Sequence, residues 1–233
     1  MSIRFSGMIL AAGFGKRMLP LTKNLPKPLI EVRGITLLDN AINFLKKLGC
    51  NQIIINTHFK NSQIEQKINQ RKDKNIITLI HEEELLDTGG AVKNAIPYFR
   101  NNNILLINSD IFWTDKNIDD AKKLIDDYFN SNLPHLLLVA RENAIGLSKN
   151  TGDFCLNKKF VERYKQGDKI LYYSGLQILS SDFFNNFPKN KFSFNLVWDS
   201  WIKERKLCGK IMKSNCFHVG DVDGLLKANE LLS

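Results

Sequence analysis

Five residues in one short stretch have the types and spacing to hold phosphate. Gly13, Gly15, Lys16 and Arg17 follow the apolar run Met8–Ala12, and Lys27 stands between Pro26 and Pro28. That run reads as a buried strand. Glycines just past a strand end let backbone N–H groups approach a phosphate, and adjacent cations neutralise it. The guanidinium of Arg17 can hold two phosphate oxygens at once. Lys27 offers a point charge on a backbone that its prolines restrict. The stretch is not a dinucleotide fingerprint, which would need glycine where Met18 stands, and no Gly-Lys-Ser/Thr closes it as a P-loop. Two carboxylates lie further on. Asp110 ends a second apolar run, Ile104–Ile107, where a lone carboxylate is costly without a partner. A magnesium ion bridging phosphates would be such a partner, and a turn or helix cap is the plainer alternative. Glu82 follows a third run, Ile76–Ile80, and heads three consecutive glutamates. It is either an acceptor for N–H donors or a solvated loop charge.

Three neighbouring segments carry a more specific pattern: Leu10-Ala11-Ala12-Gly13-x-Gly15-x-Arg17, Pro20-Leu21-Thr22 and Pro26-Lys27-Pro28-Leu29. Together they closely resemble the signature of the sugar-1-phosphate nucleotidyltransferases. Leu86-Asp87-Thr88-Gly89-Gly90 resembles that family's base-binding segment, Leu106–Asp110 its metal-binding segment and Tyr173-Ser174-Gly175-Leu176 its sugar-side segment. The resemblance implies an enzyme that joins a nucleoside triphosphate to a sugar 1-phosphate and releases pyrophosphate, with Mg2+ as cofactor. It implies catalytic roles for Arg17, Lys27 and Asp110. Leu10, Ala11, Ala12, Gly13, Gly15, Lys16, Arg17, Glu82, Thr88, Gly89 and Gly90 would line the nucleotide. Asn108, Gly152, Glu162, Ser174, Gly175 and Asn195 would line the sugar, with Asp199 near its far side and Trp198 either a platform there or part of the core. Lys16 stands where many relatives carry Ser or Thr and adds a cation. His218 stands where the family's second metal-binding Asp is expected. It either binds the sugar phosphate or a metal-bound water, or ligates the ion directly. Asp221, three residues on, would substitute for that Asp or only cap the following helix. Within the family, the short form without a C-terminal repeat domain is similar to the uridylyltransferases of N-acetylmuramate 1-phosphate, which serve peptidoglycan recycling. Mannose-1-phosphate guanylyltransferases are the nearest alternative. A non-catalytic nucleotide-binding module would share the fold, but the presence of Arg17, Lys27 and Asp110 counts against it.

These scattered residues need a scaffold that gathers them. Strands read at 52–56, 76–80, 103–108 and 136–140 alternate with helical patterns at 35–48, 62–70, 88–98 and 118–129. Thr36 with Asp39 and Ser62 with Glu65 look like capping boxes that open the first two helices. The alternation predicts an α/β, Rossmann-like nucleotidyltransferase fold: a mixed, mostly parallel sheet with helices on both faces, spanning 1–233 as one domain. Ligands of such sheets sit beyond the strands' carboxyl ends, where the Gly13–Gly15 loop, Glu82 and Asp110 all fall. Short strands near 153–156 and 160–164 predict a hairpin-like lid on the sugar side, and a helix is expected over 222–232.

Composition narrows the class. The chain has 233 residues, of which 43% are hydrophobic and 24% charged, an ordinary soluble balance. It has no apolar run of membrane-spanning length and no signal-peptide core, so a cytoplasmic protein with no membrane partner is expected. The four cysteines are scattered without a Cys-x-x-Cys pair, which fits reduced thiols. The net charge of +9 suits a polyphosphate substrate. Basic residues do not interleave with aromatics as in a nucleic-acid stripe, so no specific nucleic-acid partner is expected.

Overall fold

The computed structural model describes residues 5–147, 149–184 and 187–232. Apolar runs of five or six residues make the strands, and amphipathic stretches make the helices that cover them. In chain order, β1 (Ser6–Leu10) leads into the phosphate loop, and a small hairpin follows, β2 (Glu31–Val32) and β3 (Ile35–Thr36). Then come α1 (Leu37–Lys47), β4 (Ile53–Thr57), α2 (Asn61–Asn69), β5 (Ile77–His81), α3 (Asp87–Ala95) and β6 (Asn103–Asn108). Next are β7 (Ile111–Phe112), α4 (Lys116–Ser131), β8 (His135–Ala140), β9 (Ala144–Ile145), β10 (Phe154–Asn157), β11 (Phe160–Arg163) and β12 (Leu171–Ser180). The order closes with α5 (Phe194–Lys203), β13 (Cys208–Ile211), β14 (Cys216–His218) and α6 (Val222–Leu231).

Nine strands form one sheet in the order β10-β11-β13-β8-β12-β6-β1-β4-β5. β5, β4, β1 and β6 are parallel neighbours, β12 runs against β6 and β8, and β11 runs against β10 and β13. The sheet is therefore mixed, as expected, its pairings divided almost evenly between parallel and antiparallel, with seven of the nine strands running the same way. Side chains alternate across it. Ile9, Ile55, Ile107 and Val139 face α1, α2 and α4, while Met8, Ile54, Leu106 and Leu138 face α3 and α5. Each such fully buried side chain contributes about 1.5–3 kcal/mol. A third cluster joins distant parts of the chain: Met18 and Ile30 near the phosphate loop, Phe112 of β7, Phe217 of β14 and Ala228 of α6. The short strands β7, β14 and β9 make the three-stranded sheet beside it.

Local departures from the sequence reading have local causes. Thr36 caps α1, its Oγ1 accepting from the Asp39 N–H at 3.0 Å, but Ile35 pairs in the hairpin and is exposed rather than on the helix's buried face. Ser62 does not cap α2: Lys60, at φ 52, turns the chain into the helix and leaves Ser62 inside it. α3 stops at Ala95, because Pro97 cannot continue the backbone ladder, and residues 96–98 tighten into a 3-10 turn. Asp221 caps α6, accepting from the Gly224 N–H at 2.9 Å. Among the described residues, no helix is long and apolar enough to cross a membrane.

Candidate active site

β1 delivers its last residue, Leu10, to the rim of a cleft of about 490 Å³. Ala11, Ala12, Gly13, Gly15, Lys16 and Arg17 continue along the wall, joined by Lys27, Glu82, Thr88, Asn108 and Asp110. Gly15 sits at φ +65, and a Cβ there would lie 2.9 Å from Thr22 Cγ2. The Thr22 hydroxyl donates to the Gly15 carbonyl at 2.9 Å, which fixes the turn. Met18, the residue that breaks the dinucleotide pattern, is fully buried in the third core cluster and anchors the loop. Arg17, one residue before this anchor, is exposed on the cleft wall.

Asn56 at the end of β4 ties the floor together. Its Oδ1 accepts the Ala11 N–H at 2.9 Å, and its Nδ2 donates to Glu82 at 2.7 Å. The other Glu82 oxygen accepts the Leu86 N–H at 3.0 Å. Glu82 is 3% exposed, so it is not a solvated loop charge. It lines the cleft with both oxygens already engaged.

Gly89 and Gly90 are not in the cleft wall, contrary to expectation. Both N–H groups donate to the Phe192 carbonyl, at 2.9 and 3.1 Å. A Cβ on Gly89 would lie 2.3 Å from the Phe192 ring, and one on Gly90 2.3 Å from the Asn190 carbonyl. The two glycines let α3 pack against the segment before α5. Thr88 stays in the wall, its Oγ1 accepting the Phe194 N–H at 2.8 Å.

Lys27 is buried, and its Nζ donates to Asp110 Oδ2 at 2.8 Å and to the Gly220 carbonyl at 3.3 Å. His218 Nε2 lies 3.6 Å from the same Asp110 oxygen. Burial alone would raise the Asp110 carboxyl, but Lys27, His218 and Arg17 together hold it well below the usual range. Burial pushes the His218 imidazolium down, aided by Lys27 and Arg17 and opposed by Asp110, so the ring is favoured neutral. No group of three or more His, Cys, Asp or Glu side chains forms a metal cage among the described residues. The donor set fits a cation held by one carboxylate and completed by ligand oxygens, the usual habit of magnesium.

A second cavity, of about 260 Å³, lies on the other side of Asp110 and shares Arg17, Asn108 and Asp110 with the first. Asn195, Trp198, Gly175 and His218 line it. Gly175 sits at φ +87 in a register shift of β12, where a Cβ would lie 2.7 Å from Ile111. Trp198 is both wall and core: it is 8% exposed, donates to Gln177 Oε1 at 2.9 Å and packs against Phe154 and Phe194.

Three expected sugar-side residues point elsewhere. Ser174 is fully buried and donates to the Leu137 carbonyl at 2.8 Å. A Cβ on Gly152 would meet the Tyr164 ring at 2.9 Å, so that space belongs to packing. Glu162 faces away and accepts from Asn157 Nδ2 at 2.9 Å. Strand alternation puts its neighbour Arg163 in the cavity instead. Arg163 donates to Asp199 at 2.7 Å and to the Asn195 side chain at 2.9 Å. Asn56, Lys149, Asp153 and Arg163 are among the lining residues that the sequence reading did not single out. For Arg163 the signal was available: Val161, two residues earlier, is core, so residue 163 shares its face.

Residues 6–144 match the nucleotidyl transferase family, more than half of the chain. The chain belongs to that family. Among its relatives is an N-acetylmuramate alpha-1-phosphate uridylyltransferase from Caulobacter vibrioides, 28% identical over 97% of this nucleotidyltransferase and 96% of the relative. The corresponding enzyme of Neisseria meningitidis serogroup B is 32% identical over 76% of each chain. The crystal structure of HddC from Yersinia pseudotuberculosis complexed with GMP-PN superposes with a TM-score of 0.78 at 25% identity, covering 98% of this chain and all of that one.

Proposed function

We propose that this nucleotidyltransferase joins a nucleoside triphosphate to a sugar 1-phosphate, and that the pair is UTP and N-acetylmuramate 1-phosphate. The observation that carries the reaction is the seam at Arg17, Asn108 and Asp110, where the two cavities meet. A two-substrate transfer needs two sites that share one reacting centre. The near full-length similarity to the Caulobacter relative supports the substrate pair. The nucleotide would occupy the larger cavity and the sugar the smaller.

An oxygen of the sugar phosphate attacks the α-phosphorus, and pyrophosphate departs with the electron pair of the broken bond. The attacking oxygen is already anionic, so no strong general base is required. The protein holds two anions together and stabilises the charge that develops between them. Arg17 would grip the triphosphate from the exposed wall. Lys27 would neutralise the phosphate nearest Asp110, and neutral His218 would donate to the sugar phosphate or orient it. Asp110 would hold a magnesium ion, which neutralises phosphate charge when bound.

Pyrophosphate release measured for four nucleoside triphosphates against several sugar 1-phosphates tests this reading. UTP with N-acetylmuramate 1-phosphate is expected to be the fastest pair. A preference for GTP with mannose 1-phosphate would replace the substrates, and no release with any pair would overturn the reaction.

A further inference from the structure

The first turn of α5 takes one of its caps from another helix. The first N–H groups of a helix have no partner within it and need one from outside. Ser193 serves one of them, its Oγ accepting the Asn195 N–H at 3.3 Å. The Phe194 N–H instead reaches Thr88 Oγ1 at 2.8 Å, 106 residues away in sequence and in the first turn of α3. The bond spans the two cavities. Thr88 stands in the wall of the larger one, and Asn195, the neighbour of Phe194, stands in the wall of the smaller. The same turn also holds Arg163, whose Nη2 donates to Asn195 Oδ1 at 2.9 Å and whose Nε donates to Asp199 Oδ1 at 2.7 Å. The seating of α5 therefore decides where Asn195 and Arg163 stand. The segment just before α5 does not depend on the Thr88 bond. Gly89 and Gly90 donate to the Phe192 carbonyl, and the Phe192 N–H donates to the Leu86 carbonyl at 3.1 Å. Those are backbone bonds, which a change of side chain at residue 88 leaves in place.

We propose that Thr88 is a positioning residue for the sugar side: its hydroxyl seats the first turn of α5 and, through Asn195, fixes Arg163 in the sugar cavity. This rests on the reaction proposed above and gives a threonine of one cavity a role in the other. Phe194 is buried at 2% exposure, and a buried N–H left without a partner costs free energy. Without the hydroxyl, the turn shifts to satisfy that N–H and carries Asn195 with it. Misplacing a group that orients substrate weakens binding even when the group itself is untouched.

Two variants test it. Thr88→Val keeps the branched shape and removes the hydroxyl, and Thr88→Ser keeps the hydroxyl. Pyrophosphate release is followed against the preferred sugar 1-phosphate with the nucleotide saturating, so that any contact of Thr88 with the nucleotide drops out of the sugar KM. Thr88→Val should raise that KM about 3- to 10-fold, the scale of a lost capping bond. Its kcat should hold, since only sugar binding is weakened. Thr88→Ser should behave as wild type. In an Asn195→Ala background, where the link is already cut, Thr88→Val should add nothing further. An unchanged sugar KM in Thr88→Val, or a fall in kcat in place of the rise in KM, overturns the proposal. So does a serine variant as impaired as the valine one, or an equal factor in both backgrounds. Wild-type inactivity with every pair would refute the reaction itself and this inference with it; an active wild type with an indifferent Thr88→Val refutes the inference alone.

Discussion

Replacing Lys27 by Met keeps the stem and removes the charge, and its cost follows from what is left behind. Asp110 loses its 2.8 Å partner and keeps His218 at 3.6 Å, favoured neutral, and the more distant Arg17. Breaking a fully buried pair by removing one member costs about 3–5 kcal/mol. Here the side chains are 11% and 21% exposed, so solvent screens part of that, and a loss of about 2–3 kcal/mol is expected. For a chain of this size that is roughly a 5–10 °C fall in melting temperature. Adding Asp110→Asn should restore most of the stability, because no charge is then stranded, but none of the activity. The pH dependence has a definite sign. The folded carboxyl is depressed, so its contribution is complete above the ordinary aspartate range, about pH 4, and is lost as pH falls through the lower folded value. The gap between wild type and Lys27→Met should therefore be widest at alkaline pH and begin to narrow once His218, freed of the Lys27 charge and facing Asp110, takes up a proton. It should narrow further in acid, where the stranded carboxyl protonates. Thermal melts of the four forms, with pyrophosphate release measured in parallel at 25 °C, complete the cycle. A Lys27→Met protein as stable as wild type, or a double variant no more stable than the single, would refute the reasoning. Turnover should fall on the order of 10²-fold or more in Lys27→Met, as for other lost stabilisers of developing charge.

Glu82→Gln should destabilise the protein by about 1–3 kcal/mol, because an amide N–H2 must then face one of the donors on Asn56 and Leu86. The ratio of UTP to CTP turnover should stay as in wild type, and a collapsed ratio would mean that Glu82 reads the base. Gly90→Ala forces a methyl to within 2.3 Å of a backbone carbonyl and should cost about 1–3 kcal/mol by overpacking. A melt that matches wild type would show that the segment at 190–192 moves aside freely.

The sheet was legible because its strands are apolar runs that helical patterns separate, and its burial on both faces is written in Ile53–Ile55 and Leu105–Ile107. The phosphate loop was legible because glycines, cations and prolines crowd one stretch. What escaped depends on contacts between distant segments. Nothing around Gly89 and Gly90 announces that Phe192, a hundred residues later, occupies the space beside them. Glu162 and Arg163 are adjacent and both polar, so only the strand's facing decides which enters the cavity. The Asn56 bridge between Ala11 and Glu82 needs three strand ends side by side, which periodicity alone does not give.

The third core cluster has a consequence for how this protein comes into being. Lys27 donates to the carbonyl of Gly220, Val219 bonds back to the Asp110 carbonyl at 2.7 Å, and α6 packs beneath the phosphate loop. A domain generally folds as a unit. A nascent chain that has emerged through β7 already possesses Lys27 and Asp110, but not the strand and helix that hold them in register. The phosphate-handling centre is therefore complete only when residues 216–231 are in place, although its signature lies far earlier in the chain. A ribosome stalled before that point would display a partly formed sheet with a loose lysine and an uncaged aspartate, incapable of spending triphosphate.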